Sequence, residues 1–228
     1  MEPTIFEAIR ANDKASVTRL LAGNPELAHA RNGAGVSALM QARYEHKFEI
    51  VDAIRRAAGD LDIFEAAALG DISHLRRLLT QHPQGATAYS NDGFTALQFA
   101  CFFGQLETAK ELAACGSDLN AVSRNSMNVG VINTAAASQN VEIVRTVLHA
   151  GASPNHQQQG GYTALHEAAS HNNVAMAQAL LEAGADPGIR SDDGKTAAEM
   201  ATEKGHGAIA ALLSAEARWL REARVPSR

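Results

Sequence analysis

The 228-residue chain has only two cysteines, Cys101 and Cys115. Two thiols cannot staple a chain of this length, so a packed core must hold it, and the setting implied is a reducing, cytoplasmic one. Excess positive charge is also missing: 20 basic against 25 acidic residues leave a net charge of −5. A nucleic-acid binder normally carries a basic face, so no nucleic-acid partner is expected. No apolar stretch reaches the roughly 20 residues of a membrane span. MEPTIFEAIRANDK lacks the basic-then-apolar order of a secretory leader, so no membrane partner is expected either. Low-complexity linkers are absent, and ARVPSR at the C-terminal end reads as a short frayed tail. What remains, 46% hydrophobic and 20% charged residues, is the composition of a folded chain.

Signatures of catalysis are missing as well. No G-x-x-x-x-G-K-[ST] loop and no G-x-S-x-G elbow occurs. Gly33-Ala-Gly35-Val-Ser-Ala38 fits the dinucleotide pattern G-x-G-x-x-A, but the preceding NPELAHARN is polar and supplies no buried strand. The nine histidines are scattered along the chain. His166 and His171 flank Glu167, yet a zinc-binding helix spaces its histidines four apart. At five apart, with about 100° per residue, the two rings diverge by roughly 140°. No metal, cofactor or catalytic residue is expected.

What the chain does have is repetition. Gly116, Gly151 and Gly184 each follow the end of an apolar helix, and the last two lie 33 residues apart. The helix starts FTALQFAC, YTALHEAA and KTAAEMAT begin their first turns at Thr95, Thr163 and Thr196, the last two again 33 apart. IFEAIRANDKASVTRLLAGNPE at 5–26 matches IFEAAALGDISHLRRLLTQHPQ at 63–84. A fixed period of this size marks a tandem array of supersecondary units.

Each unit reads as two short helices. In the sixth, Thr163 is placed to cap the first helix, with Ala164, Ala168 and Ala169 allowing close packing. Asn172 and Asn173 break it. Val174, Ala177, Leu180 and Leu181 then form the apolar stripe of the second helix, which Gly184 ends. Leu181 is expected to be buried between units. Thr95 with Gln98 and Thr196 with Glu199 fit capping boxes, and His166 fills the same slot after Thr163. Cys101 falls where Ala67, Ala136 and Ala169 fall, so it reads as a packed thiol, with Cys115 part exposed near a helix end. Trp219 and Leu220 lie seven residues beyond Leu212 and Leu213, on one helix face, and are expected to cover the last unit's core.

G-x-T-A-L-H-x-A-A, the ending L-L-x-x-G-A-D-P and the 33-residue period resemble the ankyrin repeat over nearly the whole chain. The resemblance implies an all-α fold: an ankyrin-repeat solenoid of stacked helix–turn–helix units with short β-hairpin fingers. Seven units are counted, at about 1–34, 35–60, 61–91, 92–125, 126–158, 159–191 and 192–228, forming a single array with a C-terminal cap helix. The sequence departs from the pattern in two places. IRRAAGDLD runs straight into IFEAAALGD, leaving no finger between the second and third units and so a gap in the finger row. The finger SRNSMNVG is two residues longer than its neighbours and expected to be irregular.

The resemblance also implies a protein–protein interaction module, binding through the concave groove and the fingers as a scaffold, inhibitor or regulator, and acting as a monomer. Four of the seven phenylalanines, Phe94, Phe99, Phe102 and Phe103, fall within ten residues. Phe102 and Phe103 take the variable groove positions that Ala137 and Ser138, or Ser170 and His171, take elsewhere. Tyr44 and Leu69 hold matching slots, and Phe94 and Tyr162 sit on fingers. The expected partner-binding set is therefore Tyr44, Leu69, Phe94, Phe102, Phe103, Tyr162 and His171, since aromatics anchor interfaces. The alternatives are that Phe102 or Phe103 folds onto its neighbours, or that an enzyme site is grafted on the groove at Tyr44, Glu45, His171 and Glu203.

Overall fold

A computed structural model describes residues 3–223, which leaves most of the ARVPSR segment outside the described residues. The helices come in consecutive pairs: α1 (Ile5–Arg10) with α2 (Lys14–Gly23), α3 (Ala38–Tyr44) with α4 (Phe48–Ala58), and α5 (Ile63–Leu69) with α6 (Ile72–Gln81). Next are α7 (Ala96–Phe102) with α8 (Leu106–Ala114) and α9 (Val131–Ala137) with α10 (Val141–His149). The series ends with α11 (Ala164–Ser170) and α12 (Val174–Glu182), then α13 (Ala197–Glu203) and α14 (Gly207–Ala223). Side-chain caps start many of them, among them Thr4, Asp13, Ser37, Asp62, Asp71, Thr95, Asn173 and Thr196. Each accepts a first-turn amide that the helix itself leaves unpaired. The turn inside every pair contains one residue at positive φ: Asn12, His46, Gly70, Gly104, Gln139, Asn172 or Gly205. Glycine and asparagine take that region most readily, which is why they recur there.

The first helices of the pairs stack in one layer and the second helices in another. Buried alanines let the first layer pack closely, and Cys101 sits among them with no exposed surface. Burial pushes its thiol up to about 12, so it is inert, whereas Cys115 is exposed. Leu180 is fully buried, but Leu181 is only half-buried at the rim of the core. The expected burial thus falls one residue earlier. Trp219 is 60% exposed and does not cover the core. The reason is length: α14 has 17 residues against 9 in α12, so its last turns have no helix opposite them.

The hairpin fingers close on single antiparallel bridges, Arg31 with Ser37, Tyr89 with Thr95, Val122 with Gly130 and Arg190 with Thr196. A fifth turns at Gln158, whose amide donates to the Tyr162 carbonyl at 3.0 Å. Neighbouring fingers are linked by backbone bonds: Arg124 N–H to Gly93 O (2.7 Å), Gln159 N–H to Met127 O (2.8 Å) and Asp192 N–H to Gly160 O (2.9 Å). No hairpin precedes α5, because residues 59–62 join it directly to α4.

The gap expected in the finger row is closed, however. Gly35 lies so close to Asn91 that a Cβ there would fall 2.6 Å from the Asn91 Cβ. The finger before α3 thus abuts the finger before α7, although a whole helix pair separates them in the stack. On the opposite side α4 and α6 hardly meet, and α3 packs on α5 more sparsely than α5 on α7. The array is wedged here, pinched along the fingers and opened along the back. Polar links hold the wedge: Arg31 to Asp62 (2.8 Å), Arg55 to Asp71 (2.6 Å) and Ser37 Oγ to Glu65 Oε1 (2.6 Å).

Candidate functional site: an aromatic groove with acidic ends

The wedge brings α3 within reach of α7. Tyr44, the last residue of α3, donates its hydroxyl to Asp92 Oδ2 at 2.8 Å and lays its ring 6.4 Å from Phe99 and 5.7 Å from Phe103. Burial, helped by the Asp92 charge, pushes the Tyr44 phenol above its ordinary range and keeps it a neutral donor. Tyr44 thereby closes one end of a groove between the fingers and the first helices.

Buried Phe99 is the floor of that groove, with Phe94 from the finger 5.7 Å away in a tilted pair. Phe102, 43% exposed, and Met127, also 43% exposed, face the opening. Val129, Thr134 and Ala137 continue the wall, and Glu167 on α11 stands at the far end. The open cleft has a volume of about 550 Å³, within the usual range for ligand pockets.

Met127 reaches the groove because of the longer finger. Asn125 Oδ1 accepts from Ser123 Oγ (2.9 Å) and from the Met127 amide (3.1 Å), while its Nδ2 donates to the Asp92 carbonyl (2.9 Å). Asn128 then takes a positive φ of 51°. Such a loop presents a flexible thioether beside fixed rings, a combination suited to adaptable binding. The sequence reading missed Met127, and the finger's extra length was the signal that could have found it. It also missed Asp92 and Glu167, which carry no motif.

The expected contact residues divide. Tyr44, Phe94 and Phe102 come together in the groove lining. Phe103 folds onto Phe99 (6.4 Å, stacked) and Phe102 (5.1 Å, edge-on), with the Arg43 guanidinium 4.5 Å from its ring centre. A ring covered by a cation on one side and by rings on the other adds rigidity behind the groove. Leu69 is half-buried against the core. Tyr162 meets His166 edge-on at 5.7 Å, outside the lining. His171 is exposed, its Nδ1 3.3 Å from Glu167 Oε1.

The four residues of the enzyme alternative are likewise spread out. Tyr44 is on Asp92, Glu45 on Lys47, His171 on Glu167 and Glu203 on Lys195. No partner is shared between any two of them.

His166 has a structural task. Its Nδ1 accepts from the Thr163 amide (3.1 Å), which places the proton on Nε2, 3.0 Å from the Lys195 carbonyl of the next finger. Gln98 does the same, accepting from Thr95 N–H (2.9 Å) and donating to Val129 O (2.7 Å). Asn133 repeats the pattern between Gly130 N–H and His156 O. In these three units the slot pins the helix to the finger that follows it.

Paired helices, fingers at one edge and a groove between them define a helical repeat solenoid with a binding face. The family models agree with that geometry: Ankyrin repeats (3 copies) matches residues 132–221 and Ankyrin repeat matches 92–124. The chain belongs to the ankyrin-repeat family, whose repeats generally mediate protein–protein interaction and are typically not enzymes. An ankyrin repeat protein of Acanthamoeba polyphaga mimivirus is 25% identical over 71% of this chain and 18% of its own. A protein of Oryza sativa subsp. japonica named as a probable E3 ubiquitin-protein ligase is 36% identical over 43% of this chain and 22% of its own. The mitochondrial disaggregase of Bos taurus is 37% identical over 64% and 23%. The chain thus spans about a fifth of the length of these curated relatives. Among the described residues no helix is long and apolar enough to cross a membrane, and no cluster of three or more histidine, cysteine or acidic side chains could hold a metal ion.

Proposed function

We propose that the helix pairs act as one array that recognises another protein through its concave groove and fingers, in the manner of a scaffold or an inhibitor. One observation carries this reading: Phe102 and Met127, two of the four large exposed hydrophobics among the described residues, converge on one cleft floored by Phe99. Exposed apolar surface gathered in a concavity is costly without a ligand, and buried aromatic anchors dominate interface energies. The contact set runs from Tyr44 and Leu69 through Phe94, Phe102 and Phe103 to Tyr162 and His171, centred on Phe102. The chain works as a monomer in a cytoplasmic setting. The test is partner capture by the full chain and by Phe102→Ala with Met127→Ala. The double variant should lose the captured protein while its melting transition stays where it was. Undiminished capture would remove the groove from consideration.

A further inference from the structure

Only two charged residues line the groove, Asp92 and Glu167, and both are acids. Asp92 accepts from the Tyr44 and Ser90 hydroxyls, at 2.8 and 2.5 Å, and Glu167 is met by His171. Neither has a lysine or arginine partner among the described residues, although an ionised carboxylate holding two hydrogen bonds retains free lone pairs. Arg43 on α3 is held against the Phe103 ring, and Arg124, next to Asn125, against the Tyr89 ring. The groove therefore presents two acids without a lysine or arginine partner at its ends, with Phe94, Phe99, Phe102 and Met127 between them.

Their places in the stack set the scale of what would satisfy both. Asp92 is in the finger before α7 and Glu167 is on α11, two helix steps away. At the usual 8–10 Å per step this is about 16–20 Å. An extended chain rises about 3.3 Å per residue, so the interval corresponds to about five or six residues. The side-chain amides of Gln158 and Gln159, which line the same groove, offer both donors and acceptors to an extended backbone.

Building on the function proposed above, we infer that the groove takes an extended partner segment carrying two arginine or lysine side chains, about five or six residues apart, on either side of an apolar residue. The basic groups meet Asp92 and Glu167, and the apolar residue rests on Phe99 between Phe102 and Met127. Charge-assisted bonds at both ends set the register, and the apolar contact supplies burial.

A displayed library of random peptides, selected on the full chain, tests this. Enriched peptides should share two basic positions at that interval around an apolar one. Replacing either arginine with citrulline, which keeps the shape and removes the charge, should weaken binding about tenfold, and added salt should weaken the parent peptide. Asp92→Asn should make one citrulline replacement silent and Glu167→Gln the other, with the helical signal of both variants unchanged. Peptides that lose binding to Phe102→Ala but ignore citrulline would overturn the inference and leave the groove reading standing. Peptides indifferent to Phe102→Ala and Met127→Ala would sink both. Self-association of the chain in sedimentation, dissolved by Asp92→Asn, would give the groove to a second copy and also overturn the inference.

Discussion

Replacing His166 probes how the fingers are fixed. The side chain is buried, and its two ring nitrogens pair with the Thr163 amide and the Lys195 carbonyl. His166→Ala strands both groups, at about 1–3 kcal/mol for a fully buried one and less for the half-buried carbonyl, so about 2–4 kcal/mol in all. His166→Gln should cost less than about 1 kcal/mol, because Gln98 makes the same two bonds in the same slot of its own unit. Acid separates the two residue types further. Burial holds the folded imidazole below its ordinary value near 6.5. Above that value folded and unfolded chains are both neutral at His166, and its stabilisation is complete. Below it the unfolded chain takes up a proton that the folded one resists, so stability falls as pH falls, by at most about 1.4 kcal/mol per pH unit. Glutamine has no such loss. Urea midpoints of the three proteins, measured from about pH 8 to about pH 5, should show the Gln variant gaining on the wild type through the acid arm. If Gln is as damaging as Ala, or if the gap between Gln and wild type stays flat across that range, the finger-pinning role is wrong.

Two further outcomes follow from the packing. Glu65 is buried, and burial, with the nearby Asp62 charge, raises its carboxyl above the ordinary 4.5. A raised acid stabilises least when ionised, so Glu65→Gln, which can keep the bonds to Asp62 N–H and Ser37 Oγ, should raise the neutral-pH unfolding free energy from urea titration by on the order of 1 kcal/mol. That gain should fade as the pH drops through the raised value toward 4.5, and a loss at neutral pH would show that the charge itself is needed. Leu180→Ala should cost about 2–5 kcal/mol and Leu181→Ala clearly less, read from the same urea titrations, and equal losses would contradict the burial of Leu180 alone.

Much of this was legible in the sequence because local rules repeat. Caps, breakers and the apolar stripe are decided within one unit, so Thr95, Asn172 and Ala169 announce their places. Leu181 and Trp219 show where such reading stops. Helical periodicity gives the direction a side chain takes, but Leu181 lies about 100° round from Leu180, at the stripe's edge, where the neighbour decides burial. Trp219 lies off the stripe that Ile209 and Leu213 bury, and is exposed beyond the end of the paired helices. The groove was half legible: Phe94 and Phe102 stood out as aromatics in slots the fold does not require. Asp92, Met127 and Glu167 line one groove only through the stacking of successive units and the bend of one finger, neither of which any local pattern encodes.

The abutment of the first finger on the one before α7 gives the groove a polarity. Because Tyr44 is drawn across to Asp92 and the rings of α7, the groove is stopped at that end. A guest chain lying in a channel open at both ends could slide by one repeat and find similar surroundings, the standing hazard of periodic architecture. A stopped channel has an origin from which positions are counted. Residues that the second repeat lacks thus break the translational symmetry of the rest.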